Sequence, residues 1–396
     1  GKLSTALAEQ GYETHLFFVG DPQKAGIEIC HEGRLILHRW CQWISRYHPF
    51  GVYDGEEGKL NDCINSLPEF IVESLVRPFV ENGRQLVLMA EEWHTAEAMC
   101  RVRELMEIRG LDKGSVLLWN ANNTYCFERI NWQRLKQKAI ITTVSRYMRQ
   151  LMQPYGVEPL VIPNGIQQDM IKPVEQVCCD VLREELQTDL ILFKMARFDP
   201  AKGWMKAMET AARLKGQGYS VRFIVRGGME PYGEYVLGAA EAMGLTVTDT
   251  DPGANTPGEL VGELLAARNA DVVNIKCFIP HELSRILYAC SDAVLADSVH
   301  EPFGLVGLEA MASGGVAFVG RTGEDYARDL DNAIVLETSK SSEAVASILF
   351  LKQHIEFNQE LRIRARTTAK CFTWDRIING MLQPKLQRLA WEQSVA

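Results

Sequence analysis

The sequence is most informative at first through what it lacks. No apolar run reaches about 18 residues, so no membrane-spanning helix is expected. None of its 10 cysteines forms a Cys-x-x-Cys pair, which removes the paired spacing of a structural zinc site. They are scattered instead, at Cys30, Cys41, Cys63, Cys100, Cys126, Cys178, Cys179, Cys277, Cys290 and Cys371. No basic, apolar and small-residue segments open the chain in succession, so secretion is not expected; reduced thiols and a cytoplasmic location are. No Gly-rich dinucleotide loop follows any candidate strand, and no P-loop motif occurs, which argues against a dehydrogenase and a P-loop NTPase. Basic residues are outnumbered by acidic ones, 42 to 51, for a net charge of −9, which argues against a nucleic-acid binder. Fixed-period repeats and low-complexity segments are absent too.

What is present is a chain of 396 residues, 46% hydrophobic and 23% charged, ordinary for a globular protein of two domains. Short apolar runs alternate with helical stretches. In the first part the candidate strands are Thr14–Val19, Arg34–His38, Gln85–Ala90, Ser115–Trp119 and Ala139–Val144. In the second they are Leu190–Met195, Val221–Val225, Asp271–Ile275, Asp292–Ala296 and Val316–Val319. Continuously apolar strands suit parallel sheets covered on both faces. The segments Ala96–Arg109, Trp204–Lys215 and His281–Ala289 have helical patterns, and the alternation predicts an α/β, doubly wound architecture. The turn Pro163-Asn164-Gly165 and the polar stretch that follows it predict an interdomain linker between Pro163 and Thr188. Trp374–Glu392 is expected to be helical.

Three constellations are candidates for chemistry. The first is His300-Glu301-Pro302-Phe303-Gly304-Leu305-Val306-Gly307-Leu308-Glu309-Ala310. With a helix starting near Phe303 or Gly304, Glu301 stands on the loop before it and Glu309 in its second turn. The free amides at such a helix start favour an anion, and carboxylates accept strongly from sugar hydroxyls. The plainer alternative is an acidic helix cap with a solvated Glu309. The second is Arg197-Phe198-Asp199-Pro200-Ala201-Lys202-Gly203, directly after a candidate strand. Arg197 and Lys202 together can neutralise a diphosphate, though both could equally be solvated surface charges. The third is Glu91-Glu92-Trp93-His94-Thr95-Ala96. There His94, after a strand end, can bond a substrate hydroxyl or merely enter a helix beside a packed Trp93.

Together these segments resemble retaining glycosyltransferases of the GT-B fold, close to glycosyltransferase family 4. The family's Glu-x7-Glu motif is matched by Glu301 to Ala310, its Arg and Lys-Gly by Arg197 and Lys202-Gly203, and its D/E-W-x-T-A signature by Glu92 to Ala96. Val144 to Tyr147, Val161 to Ile166, Ser291 to Ser298 and Phe372 to Trp374 extend the resemblance over nearly the whole chain. It implies two Rossmann-like domains facing across a cleft: an acceptor domain over residues 1–168, a nucleotide-sugar domain over 169–373, and a C-terminal helix, 374–396, returning to the first domain. The family opens with a strand and a Gly-rich loop, of which Gly1 would be the remnant here.

The resemblance also implies an activity: transfer of a hexose from a nucleotide-diphosphate sugar to an acceptor hydroxyl, with retention and without a metal. In this reading Glu309 holds the ribose hydroxyls, Glu301 adjoins the donor sugar, and the amides near Gly304, Leu305 and Val306 hold the distal phosphate. Arg197 and Lys202 stabilise the departing diphosphate, and His94 touches the donor sugar. Lys276 to Ile279, with Phe278 and Ile279 foremost, flank the nucleobase, and Trp40–Lys59 is the best candidate for acceptor contacts. No permanently bound cofactor is implied. The donor is a UDP- or GDP-sugar, and the acceptor a glycan, lipid or small molecule, with peripheral membrane contact left open. Two Asp-x-Asp matches, Asp249-Thr250-Asp251 and Asp329-Leu330-Asp331, are too short to imply a metal site. A sugar phosphorylase of the same fold and a non-catalytic nucleotide-sugar binder are the alternatives.

Overall fold

The computed structural model describes residues 1–113, 115–250 and 256–395, which divide into two compact units. Residues 1–165 and 374–396 form the first, and Ile166–Thr373 the second.

The first unit contains two small sheets. Strand β1 (Thr14–Val19) runs parallel to β3 (Leu35–Trp40), and β2 (Ile27–Cys30) pairs antiparallel on the other side of β3. The second sheet is parallel throughout, in the order β4 (Leu86–Glu91), β5 (Ser115–Ala121), β6 (Ile140–Thr143), β7 (Leu160–Val161). Every residue of β5 is buried, and its apolar run Val116–Trp119 suits a strand covered on both faces. Val116 and Leu118 of β5 pack against Leu382, Leu386 and Leu389 of the C-terminal helical segment, so residues 374–395 belong to this unit's core. Gly165 lets the chain pass close to that segment: a Cβ there would stand 2.6 Å from the Trp374 ring.

The second unit holds one seven-stranded, all-parallel sheet. Its strands are β8 (Leu190–Met195), β9 (Val221–Arg226), β10 (Val247–Thr250), β11 (Val272–Ile275), β12 (Ala293–Leu295), β13 (Ala317–Val319) and β14 (Ile334–Val335), in the order β10-β11-β9-β8-β12-β13-β14. In β8, Leu190 and Leu192 point to one face, Ile191 and Phe193 to the other, and all four are fully buried. Helices therefore cover both faces, the doubly wound pattern. Trp204, Met208, Ala211 and Leu214 of the Trp204–Gly216 helix form much of the larger core with β8 and β9.

The stretch read as linker is only partly one. Gln176–Leu186 is a helix whose Cys179, Leu182 and Leu186 are buried, so half of the expected linker is packed structure. Four short strands carried no sequence signal: β2, β7, β10 and β14. Among the described residues no helix is long and apolar enough to cross a membrane.

Candidate functional site in the second unit

Strand order reverses at β8. The chain leaves it toward β9, β11 and β10 on one side and returns as β12, β13 and β14 on the other. Ligands of open α/β sheets bind at the carboxyl ends of strands at such a reversal. The loops that leave β8 and β12 meet there. The Val299 amide donates to the Ala201 carbonyl at 2.8 Å. Gly203, at φ +66°, comes so near that a Cβ would lie 2.5 Å from the Asp297 carbonyl oxygen. A side chain at Gly203 would be both strained and obstructed.

This closeness brings Lys202 to Glu301. Lys202 Nζ stands 2.7 Å from Glu301 Oε2, and Ser298 Oγ donates to the same oxygen at 3.1 Å. The side chains of the pair are 23% and 19% exposed, so a ligand can still reach them. The main chain of Glu301 is held by the loop after β13. Its amide donates to Thr322 Oγ1 at 3.0 Å, and its carbonyl accepts from the Gly323 amide at 2.8 Å.

Next, Gly304 at φ +79° turns the chain into the helix Leu305–Ala312. The buried Tyr326 hydroxyl donates to the Gly304 carbonyl. The amides of Leu305, Val306 and Gly307 are the first-turn donors that no helical carbonyl satisfies, so an anion is favoured there. Glu309, half-buried in the second turn, accepts from the buried Tyr288 hydroxyl at 3.4 Å. Burial, with the Glu309 charge second, pushes the Tyr288 phenol well above its usual range. Arg197 is exposed at the end of β8; its carbonyl is anchored by the Trp204 indole N–H at 2.8 Å. Lys276 to Ile279 leave β11 on the same sheet edge, where Phe278 is 76% exposed and Ile279 only 4%.

Beneath the loops lies a buried ionic network. Lys194 Nζ donates to the Leu295 carbonyl at 2.7 Å and stands 3.5 Å from Asp297 Oδ1. Asp297 Oδ2 lies 3.2 Å from Lys206 Nζ. Burial pulls the Lys194 ammonium pKa down, and Asp297 opposes it.

His94 lies in the first unit. The strand β4 ends at Glu91, and Glu92 adopts φ +68°, left-handed for a residue with a side chain. The Glu92 carboxylate accepts from the Asn122 amide at 3.1 Å and from Asn123 Nδ2 at 2.9 Å. Burial pushes the Glu91 and Glu92 carboxyls up. His94 stacks on Trp93 with ring centres 3.9 Å apart, and its Nε2 is 3.3 Å from Glu56 Oε1. Burial pulls the His94 imidazole down, against Glu56. The Arg129 guanidinium lies over the Trp93 ring at 4.0 Å and pairs with Glu57 at 2.7 Å.

Residues 183–368 match the family model of glycosyl transferases group 1. Over that stretch the chain resembles group 1 glycosyltransferases. A D-inositol 3-phosphate glycosyltransferase of Geodermatophilus obscurus is 25% identical over 251 residues, 61% of this chain and 51% of the relative. The match thus spans about half the length of that curated relative. Sucrose-phosphate synthase of Thermosynechococcus elongatus shares the fold with a TM-score of 0.68 at 16% identity, over 98% of this chain and 92% of that one. Anabaena HepE, solved with UDP, does so with a TM-score of 0.63 at 15% identity, over 98% and 96%. Trehalose 6-phosphate synthase of Burkholderia multivorans gives 0.67 at 13%, over 100% and 94%. The fold is the GT-B glycosyltransferase fold.

Within the second unit, the structure brings Arg197, Lys202, Glu301, Gly304, Leu305, Val306 and Glu309 to one sheet edge. Sequence reasoning missed Thr322, Glu324 and Tyr326, which support this edge, and the Lys194–Asp297–Lys206 network. A lysine in the middle of the apolar run Leu190–Met195 was the available signal for that network. In the first unit it missed Arg129 beside Trp93, and it did not connect Glu56 and Glu57, which lie within the Trp40–Lys59 segment, with His94. Lys59 ends the segment expected to contact the acceptor. It is buried instead and donates to the His48 and Gly51 carbonyls at 2.9 and 2.7 Å.

Asp329 and Asp331 do not face each other as a ligand pair, and in the other Asp-x-Asp segment only Asp249 is described. Asp249 accepts from Asn274 and pairs with Lys276, and Asp251 lies outside the described residues. Asp329 accepts from the Val335 amide, while Asp331 pairs with Arg364. Among the described residues, no group of three His, Cys, Asp or Glu side chains is placed to hold a metal ion.

Proposed function

We propose that this protein is a retaining glycosyltransferase that moves a sugar from a nucleotide-diphosphate sugar to an acceptor hydroxyl without a metal ion. The observation that carries the reading is the Lys202–Glu301 pair, 2.7 Å apart beside the open start of the Leu305–Ala312 helix. Breaking the bond between an anomeric carbon and a diphosphate builds negative charge on the leaving group and positive charge on the sugar. Lys202, Arg197 and the first-turn amides of Leu305 and Val306 supply fixed positive charge and donors for the diphosphate. Glu301 offers a carboxylate to the donor sugar, and Lys202 is its counter-charge until the diphosphate arrives. Glu309, held by Tyr288, takes the ribose hydroxyls.

Around the base we assign Phe278 as the side chain that meets it, with Ile279 contributing main chain, since its side chain is buried. In the first unit we assign His94 to a substrate hydroxyl. Burial keeps its imidazole neutral near pH 7, so it can both donate and accept. Ser298 donates to Glu301, but that carboxylate is committed to Lys202, and among the described residues no other obvious nucleophile stands beside a base at this edge. We therefore infer retention by front-face transfer, with the leaving phosphate taking the acceptor proton.

A UDP-sugar is the first donor to test, because HepE is solved with UDP; GDP-mannose is the second. D-inositol 3-phosphate is the first acceptor, after the inositol phosphate glycosyltransferase that this chain resembles. The experiment incubates the protein with each donor and an acceptor panel, with and without excess EDTA, and reads the product's anomeric configuration by NMR. An α-linked product from an α-donor, formed equally in EDTA, is expected. An inverted product, or loss of activity in EDTA, contradicts the mechanism.

A further inference from the structure

Glu324 is a buried carboxylate, 5% exposed, that the glycosyl-transfer reading leaves without a task. It follows β13 in the loop that returns over the carboxyl edge. That loop is pressed against the Glu301 segment. A Cβ at Gly320 would lie 2.9 Å from the Ser298 carbonyl oxygen, and one at Gly323 would lie 2.0 Å from that of Pro302. One oxygen of Glu324, Oε2, accepts from the Thr322 amide at 3.1 Å and from the Thr322 hydroxyl at 3.2 Å. Thr322 Oγ1 in turn accepts from the Glu301 amide at 3.0 Å. The other oxygen, Oε1, is enclosed with no hydrogen-bond partner among the described residues.

We propose that Glu324 is a positioning residue of this site, holding the main chain of Glu301 through Thr322, and that it does so as the neutral acid. A chain of donation runs from the Glu301 amide to Thr322 Oγ1 and from there to Glu324 Oε2, and Glu301 carries the carboxylate that pairs with Lys202. The other face of Glu324 touches the helix start, where a Cβ on Gly304 would lie 2.8 Å from Glu324 Cγ. Both parts of the candidate anion site thus rest on one side chain.

The protonation state follows from what surrounds it. From the preceding segment comes the Glu301 carboxylate, and from its own loop the Tyr326 phenol, whose hydroxyl is committed to the Gly304 carbonyl. Glu309 stands on the adjoining helix. Arg321 and Asp325 flank it on exposed positions, and Arg321 is paired with Glu337 at 3.1 Å. An ionised Glu324 would leave Oε1 charged, enclosed and unbonded while facing the charge of Glu301. With the proton on Oε1, Oε2 still accepts both Thr322 bonds. Burial, with the Glu301 charge adding to it, outweighs the Thr322 hydrogen bonds, which favour the anion, and pushes this carboxyl up to about 7. Raising the pH past that point ionises Glu324 and loosens the loop from Glu301. The consequence for the donor rests on the functional reading above; the ordering of Glu301 does not.

The first test is hydrogen exchange, read by mass spectrometry on peptides spanning Ser298–Val306 of the full chain at pH 6 and pH 8, corrected for intrinsic exchange. The wild type should lose protection at pH 8, by up to about tenfold for one controlling ionisation centred near 7. Glu324→Gln, which keeps the neutral shape, should show the same protection at both pH values. Thr322→Val should show low protection at both, and Thr322→Ser should restore the wild-type pattern. Equal pH responses in the wild type and Glu324→Gln, or full protection in Thr322→Val, would overturn the proposal. The second measurement is calorimetry with UDP and with GDP. The ratio of wild-type to Glu324→Gln Kd cancels the titration of the nucleotide itself and should rise from pH 6 to pH 8; a flat ratio counts against the proposal. If neither UDP nor GDP binds either protein, the nucleotide reading fails, and the exchange result still decides the role of Glu324.

Discussion

Replacing Lys202 by alanine separates a chemical role from a structural one, because the structure predicts different magnitudes for the two. Lys202 is 23% exposed and its contact with Glu301 Oε2 is a single ion pair of 2.7 Å. Surface pairs contribute about 0–1 kcal/mol and fully buried ones cost about 3–5 kcal/mol to break. This pair lies between, and Glu301 keeps its hydrogen bond from Ser298 in the variant. A loss of about 1–2 kcal/mol is expected, read as a melting-point drop of roughly 2–8 °C for a unit of this size. The chemical loss should be larger. A fixed cation aimed at charge that develops on the departing diphosphate resembles an oxyanion-hole donor, whose removal costs about 10²–10³ in rate, or about 2.7–4 kcal/mol. The assay is initial-rate release of nucleoside diphosphate at saturating donor, beside differential scanning fluorimetry on the same preparation. Turnover within about threefold of wild type would refute the reasoning. So would a rate loss fully accounted for by the unfolded fraction.

Other perturbations address neighbouring residues. Arg197→Ala, at an exposed position, should cut turnover by about 10–100-fold while moving stability by no more than about 0.5 kcal/mol, checked by the same two assays. Gly304→Ala forces a side chain onto φ +79° and within 2.8 Å of Glu324 Cγ, and should cost about 2–4 kcal/mol in urea unfolding. Glu324 has a folded-state pKa of about 7 against an ordinary 4.5. Its contribution to stability is therefore complete below 4.5 and lost as pH rises through 7, by about 3 kcal/mol in all, and Glu324→Gln should remove that slope from unfolding curves taken across pH. His94 is held below its free value by burial. Its imidazole should titrate by NMR below 6.5, with the stability it contributes present above that value and lost on acidification; a midpoint above 6.5 would show that Glu56 outweighs burial.

How much of this was legible in the sequence depended on burial. β1 and β8 fall on the residues expected, Thr14–Val19 and Leu190–Met195, and the helix from Trp204 ends within one residue of its expected end. β8 is buried on both faces and the helix along one clear stripe, while β1, only partly buried, is marked by its run Leu16-Phe17-Phe18-Val19. β2 is largely exposed and antiparallel, β10 is an edge strand with the polar sequence Val247-Thr248-Asp249-Thr250, and β7 and β14 have two residues each. None presents an apolar run. The helix Gln176–Leu186 was hidden because its buried face is only Cys179, Leu182 and Leu186 amid charged neighbours. At the site, the residue types of Arg197, Lys202, Glu301 and Glu309 were visible from spacing. Their mutual geometry was not, because Lys202 meets Glu301 only through the parallel pairing of β8 with β12. Glu324 and Thr322 escaped for the same reason, arriving from a loop a further strand away.

The central claim is that the carboxyl edge at β8 and β12 binds a nucleoside diphosphate through Glu309, Lys202 and the helix start. Calorimetric titration of UDP and GDP into the wild type and Glu309→Ala tests it most directly. One nucleotide should bind the wild type, and Glu309→Ala should weaken it at least tenfold. Absence of binding by both nucleotides, or equal binding by the variant, would contradict the account.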